Sequence, residues 1–141
     1  MPKPEAGDVW RYDYLWSREH GRGQTEGLKP RPVAMVATLI DHAGRTVLFI
    51  LPITSAPPLP DRMAIEIPQM ERRRAGLDDM PLWVMVDEYN HDILGLSYHF
   101  DPAARVGSFS VAFQRKVLGA FVSTVKERKS RRVPRRDEEP S

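Results

Sequence analysis

The chain has 141 residues, 41% hydrophobic and 28% charged, with 13 prolines and no cysteine. That length fits one compact domain, the apolar fraction argues against a wholly disordered chain, and the lack of cysteine excludes disulfides, thiolate catalysis and cysteine-ligated zinc. Lysine and arginine number 21 against 19 acids, a formal net charge of +2, so overall charge does not mark a nucleic-acid binder.

The opening residues show no charged n-region followed by an apolar run. No stretch nears the roughly 20 apolar residues of a transmembrane helix. The expectation is a cytoplasmic protein that does not engage a membrane. Residues 9–16, VWRYDYLW, predict an aromatic-rich first strand, with the alternation broken by Arg11 and Asp13. Residues 17–31 carry three glycines, a proline and many charges, which predicts a long mobile loop. Residues 32–40, PVAMVATLI, and 46–53, TVLFILPI, are apolar runs rich in β-branched residues. The link at 41–45 has the length and the glycine of a hairpin turn. The proline-rich segment 56–61 cannot enter a central strand. Residues 63–67, MAIEI, alternate as a strand, 68–76 predict a short helical turn ended by Gly76, and 82–86, LWVMV, predict a further strand. A last strand is expected at 91–96.

From Phe109 the period changes. Phe109, Phe113, Val117, Ala120 or Phe121, and Val125 fall on one helical face, and Ser108 or Ser110 is placed to cap the helix. Residues 126–141 hold seven basic and four acidic side chains and almost nothing to bury. The expectation is therefore one domain over 1–129, with its helix at about 109–126, and a disordered charged tail at 130–141. Short strands followed by one amphipathic helix predict a mainly β fold, a small curled antiparallel sheet covered by the terminal helix. A parallel α/β sheet is disfavoured, because no helical crossovers lie between the strands.

Several chemistries fail on spacing. The histidines, His20, His42, His91 and His99, have no HxxxH pair. His91 and His99 with Asp87 or Asp92 are the nearest approach to a ligand set, and no metal or cofactor is expected. His20-Gly21-Arg22-Gly23 lacks the Walker Lys-Ser/Thr, and neither GxGxxG nor GxSxG occurs. A better constellation follows from the hairpin. If 33–40 and 46–53 pair around 41–45, Pro32 lands near Pro52, and Arg31 and Thr54 emerge at the same sheet end. A guanidinium that never deprotonates, beside a hydroxyl, suits a phosphodiester. Spacing alone favours the plainer reading, a surface arginine and a turn threonine.

The sequence resembles the PemK/MazF family, toxins of bacterial toxin–antitoxin pairs. The resemblance rests on Gly7-Asp8-Val9-Trp10, on Glu26-Gly27 followed by Arg31-Pro32-Val33, on Pro52-Ile53-Thr54-Ser55, on the MAIEI strand and on Val86-Asp87, over residues 7–95. It implies a small SH3-like barrel with a C-terminal helix, a homodimer, and a cognate antitoxin protein as partner. It further implies metal-independent cleavage of single-stranded RNA by attack of a ribose 2′-hydroxyl on the adjacent phosphate. By the same resemblance, Arg31 stabilises the phosphorane charge, Thr54 holds the scissile phosphate and Asp87 is the base. Substrate contacts would come from Ser55 and from His20, Gln24, Glu26 and Lys29 of the loop.

Other residues read more plainly. Trp10, Tyr14 and Trp16 suit the core, while Tyr12, Trp16 and Tyr89 suit base stacking if exposed. Arg72, Arg73 and Arg74 fit a solvated turn or an RNA-backbone track. Asp87 is followed by Glu88-Tyr89-Asn90, where the family commonly has Asp-Gln and a basic or hydroxyl residue. That difference favours an alternative, a non-catalytic binding module on the same barrel. A housekeeping SH3-like protein is a third reading.

Overall fold

The computed structural model describes residues 3–16, 30–95, 101, 103–127 and 130–134. In chain order its elements are β1 (Asp8–Tyr12), β2 (Arg31–Ile40), β3 (Thr46–Thr54), β4 (Ala64–Glu66), α1 (Gln69–Arg74), β5 (Trp83–Met85), β6 (Glu88–Ile93), β7 (Arg105–Ser108), α2 (Val111–Lys126) and β8 (Arg131–Pro134). The fold is mainly β with a C-terminal helix. The strands form one sheet in the order β4-β5-β3-β2-β1-β7, and β6 pairs with β3 and β8.

The β2–β3 hairpin runs from Ile40↔Thr46 at the turn to Val33↔Pro52. Its turn is closed by one side chain. Asp41 Oδ1 accepts from the Ala43 and Arg45 amides, each at 2.9 Å, and Asp41 Oδ2 meets Arg45 Nε at 2.8 Å. Gly44 takes the left-handed conformation there, φ 76°, without a Cβ penalty. Val36 is a bulge between the Met35↔Ile50 and Ala37↔Phe49 pairs. Its carbonyl accepts from Gln114 Nε2 at 2.9 Å, which ties the helix to the sheet at that irregular point.

β3 is the hub. One edge pairs with β2. The other pairs first with β6, Val47↔Ile93 to Ile50↔Asn90, and then with β5, Ile53↔Val84 and Thr54↔Trp83. Between these two ladders the chain from Met85 to Tyr89 bulges away from Leu51 and Pro52. Pro52 has no N–H to give a ladder, so a break in pairing is at home beside it.

Each sheet face carries its own core. On one face Val9, Ala34, Leu51, Ile53, Val84 and Val86 meet Phe113, Val117 and Phe121 of α2. Burying each of those three helix side chains stabilises the fold by about 1.5–3 kcal/mol. Ser110 caps α2, its Oγ accepting from Phe113 N at 3.1 Å, and Glu71 accepts from Ser110 N and Oγ at 2.8 and 2.7 Å. Past α1, the Ala75 carbonyl lies against β7 so closely that a Cβ on Gly107 would meet its oxygen at 2.5 Å. The other face buries Trp10, Tyr12, Tyr14, Trp16, Val33, Met35, Leu48, Ile50 and Met85.

Three expectations change. The first strand ends at Tyr12, and residues 13–16 lie off the ladder. The strand expected at 91–96 begins instead at Glu88. The segment read as a disordered tail from residue 130 contains β8, which pairs in parallel with β6 from Glu88↔Arg131 to His91↔Pro134. A buried Val133 and the Arg131 N–H, 2.8 Å from the Asp87 carbonyl, hold it there. One apolar residue among arginines is enough because the β6 edge supplies the backbone partners. Residues 135–141 of that tail lie outside the described residues, as do residues 128–129 before it and Leu96.

Candidate functional site

β1 and β2 place Tyr12 opposite Arg31. Continuing the Val33↔Pro52 register by two residues sets Arg31 across from Thr54. Directly opposed residues of an antiparallel ladder present their side chains to the same face, so Arg31 and Thr54 face one way at one end of the sheet. Both are half-buried. Thr54 Oγ1 accepts from Ala56 N at 3.0 Å, which fixes the rotamer and leaves the hydroxyl proton to donate. Ser55 next to it is exposed.

Arg31 is positioned from below. Its guanidinium carbon lies 5.9 Å from the Trp16 ring centroid, a cation–π contact. Trp16 is only 4% exposed and packs edge-on against Tyr14, with ring centroids 5.4 Å apart. The segment that carries it is anchored by β6. Asn90 acts as a surrogate strand for Leu15: its Oδ1 accepts from Leu15 N at 2.9 Å and its Nδ2 donates to Leu15 O at 2.8 Å. Tyr14 Oη donates to Glu88 Oε2 at 3.0 Å and Tyr12 Oη to Asp92 Oδ2 at 2.5 Å. Burial first, then the neighbouring Glu88 carboxylate, pushes the Tyr14 hydroxyl well above its ordinary pKa.

Asp87 belongs to a different constellation. It is 4% exposed. Arg62 grips it with both ends of the fork, Nε to Oδ2 at 2.7 Å and Nη2 to Oδ1 at 2.8 Å, and Nη2 also reaches Glu88 Oε1 at 2.9 Å. The Met63 amide adds a bond to Asp87 Oδ2 at 3.0 Å. Burial alone would raise this carboxyl, but the Arg62 and Met63 hydrogen bonds outweigh it and hold it below its ordinary pKa. Asp87 stands in the bend past β5, four residues on in sequence from Trp83, the ladder partner of Thr54. The hairpin register carries Arg31 and Thr54 to the same sheet end, while Asp87 is held in the Arg62 cluster.

The loop residues His20, Gln24, Glu26 and Lys29, and also His99, lie outside the described residues. Tyr12 and Trp16 are buried rather than open to a base. Tyr89 is half-buried between Phe49 and Phe121, with centroids 5.6 and 5.1 Å away. His91 sits on β6 edge-on to Phe49. Arg72 folds back onto the Ile67 carbonyl at 2.8 Å, while Arg73 and Arg74 are exposed. Among the described residues no three His, Asp or Glu side chains group as metal ligands, and no helix is long and apolar enough to cross a membrane.

Sequence reasoning missed Arg62. The residue sits after a proline-rich loop, and nothing local to it reports a partner 25 positions away. It also missed the part of Trp16 beneath Arg31, which depends on where Asn90 pins the chain. A scan against protein-family models finds no match for this sequence, and a search of curated proteins finds none either.

Proposed function

We propose that the chain is an RNA-directed protein of PemK/MazF type, a cytoplasmic endoribonuclease that cleaves single-stranded RNA without a metal and is restrained by a cognate antitoxin protein. The reading is carried by one observation, the hairpin register whose last pair, Val33↔Pro52, leaves Arg31 and Thr54 two residues further on at the same sheet end. A scissile phosphate held there would meet a permanent cation and a hydroxyl donor. As the 2′-hydroxyl gives its proton to water and its oxygen bonds to phosphorus, the bond to the 5′-oxygen breaks, that oxygen takes a proton from water, and negative charge grows on the non-bridging oxygens. A preorganised guanidinium lowers that barrier. The Trp16 ring against Arg31 and the Ala56 amide on Thr54 Oγ1 supply the preorganisation. Asp87, engaged by Arg62 and held below its ordinary pKa, is better suited to fixing β4 and β5 than to taking a proton.

That engagement of Asp87 favours a second reading, a binding module that holds RNA, or a protein target, without cutting. One experiment separates the two. Purified protein is incubated with end-labelled single-stranded RNA of mixed sequence in EDTA, beside Arg31→Ala and Arg31→Lys. Discrete fragments from the wild type, lost in R31A with the thermal melt unchanged, support the nuclease. Retained binding with no fragments on a long RNA selects the binding module. Cleavage by R31A at the wild-type rate overturns the assignment of Arg31.

A further inference from the structure

The row that contains Arg31 and Thr54 does not stop at β3. Thr54 pairs with Trp83 of β5, and Trp83 pairs with Glu66 of β4. All of these pairings are antiparallel, and with the Val33↔Pro52 register continued by two residues, Tyr12, Arg31, Thr54, Trp83 and Glu66 fall in one cross-strand row facing one way. At the usual strand spacing, Thr54, Trp83 and Glu66 lie about 5, 10 and 15 Å from Arg31 along it. Exposure rises in the same order: Tyr12 is buried, Arg31, Thr54 and Trp83 are half-buried, and Glu66 is exposed. Inward along β4 and β5, Met85 and Ala64 of the same face close against the aromatic core. Trp83 is therefore a half-buried indole on that face, and it is the ladder neighbour of Thr54.

We propose that Trp83 and Glu66 form a nucleobase subsite. The base stacks on the half-open indole while Arg31 and Thr54 hold the phosphate of the same strand, and the Glu66 carboxylate accepts a hydrogen bond from an exocyclic amine of that base. The inference rests on the phosphate reading of Arg31. Charge fixes the direction of binding: a phosphate is drawn to the Arg31 end and repelled from Glu66, so the uncharged base goes to the acidic end. Stacking on indole tolerates every base, because every base has a π-face. Discrimination comes from Glu66. Adenine and cytosine offer an exocyclic amine and uracil offers none, so uridine is disfavoured beside the clamp.

The test uses hexamers of A, C or U with 2′-fluoro sugars, which cannot supply the attacking hydroxyl, and an abasic hexamer of equal charge. Affinity is read by fluorescence anisotropy in EDTA for the wild type, W83F, W83L, E66Q and R31A. The wild type should bind the A hexamer about 10-fold to 100-fold more tightly than the abasic one, and W83L should lose that advantage while W83F keeps it. E66Q should cut the preference for A and C over U by about 10-fold, since an amide both donates and accepts. A wild type that binds abasic and A hexamers alike overturns the subsite without any variant having to fold. So does W83L that retains the base advantage, or E66Q with unchanged preference. Loss of binding in R31A alone would then leave the phosphate reading standing. A wild type that binds no hexamer and cleaves no RNA overturns both.

Discussion

Two groups of polar residues share one face of the sheet, and they differ in what surrounds them. On β6, Glu88, Asn90 and Asp92 are fully buried, and each has a partner inside the protein: Tyr14 and Arg62, Leu15, and Tyr12. At the end of β2 and β3, Arg31 and Thr54 are half-buried. Among the described residues the Arg31 guanidinium has the Trp16 ring beneath it and no side-chain hydrogen bond. The group richest in charge is thus structural, and the sparser one is available to a ligand. Buried polar groups must be satisfied to be tolerated, so a closed network leaves no valence for substrate. Charge density therefore locates the anchor of the fold, and unused donors locate the site.

The sharpest way to break this contrast is to remove the cation of the closed network. Arg62→Ala leaves Asp87 and Glu88 buried without their counter-charge, and should cost about 3–5 kcal/mol in urea unfolding. A loss below about 1 kcal/mol would mean that the pair is not buried in solution. At the open end the effect should fall on chemistry instead. R31A should lower the cleavage rate by about 100-fold to 1,000-fold with an unchanged unfolding midpoint. An R31A protein that unfolds early would place Arg31 with the structural group.

The link between the groups is Asn90. Asn90→Ala strands the Leu15 amide and carbonyl and should cost about 1–3 kcal/mol. It should also weaken RNA binding, because Trp16 is no longer fixed under Arg31. Undiminished binding would show that Arg31 is placed by its strand alone. Titration tests the closed group from both sides. The Asp87 carboxyl has a lower pKa in the folded protein than in the unfolded chain, so its contribution is present above the ordinary carboxylate value of about 3.9 and is lost as pH falls through the folded value. The Tyr14 hydroxyl is raised, so its contribution is present below about pH 10 and is lost as pH rises through the folded value. D87N should blunt the acid limb of a stability–pH profile, and Y14F the alkaline limb. The smallest effect belongs to the open end: E66Q, at an exposed position, should change stability by less than about 0.5 kcal/mol. A larger loss would make Glu66 part of the scaffold.

Much of the sheet was legible because its strands obey simple patterns. The apolar runs at 32–40 and 46–53, joined by a glycine-bearing link, give β2, β3 and their register. That register alone brings Arg31 toward Thr54. The MAIEI alternation, the LWVMV run and the Phe113–Val117–Phe121 stripe gave β4, β5 and α2 for the same reason, a period matched to the buried face. The strand β6 was misplaced because it breaks the pattern. Its core-facing positions are Glu88, Asn90 and Asp92, and hydropathy reads them as loop. Only their distant partners make them core residues. β8 was missed on similar grounds, one buried valine among arginines.

By itself the sequence determined the class of fold and the central hairpin, with an arginine and a threonine at its open end. Those features follow from local period and turn chemistry over a few neighbouring residues. Tertiary structure alone decided which acids are closed and which cation is open. It gave Asp87 to Arg62, set Trp16 under Arg31 through Asn90, and lined up Trp83 and Glu66 with Thr54. Each of these depends on strands distant in sequence meeting in one register, and no local propensity encodes a register between strands that a short turn does not join.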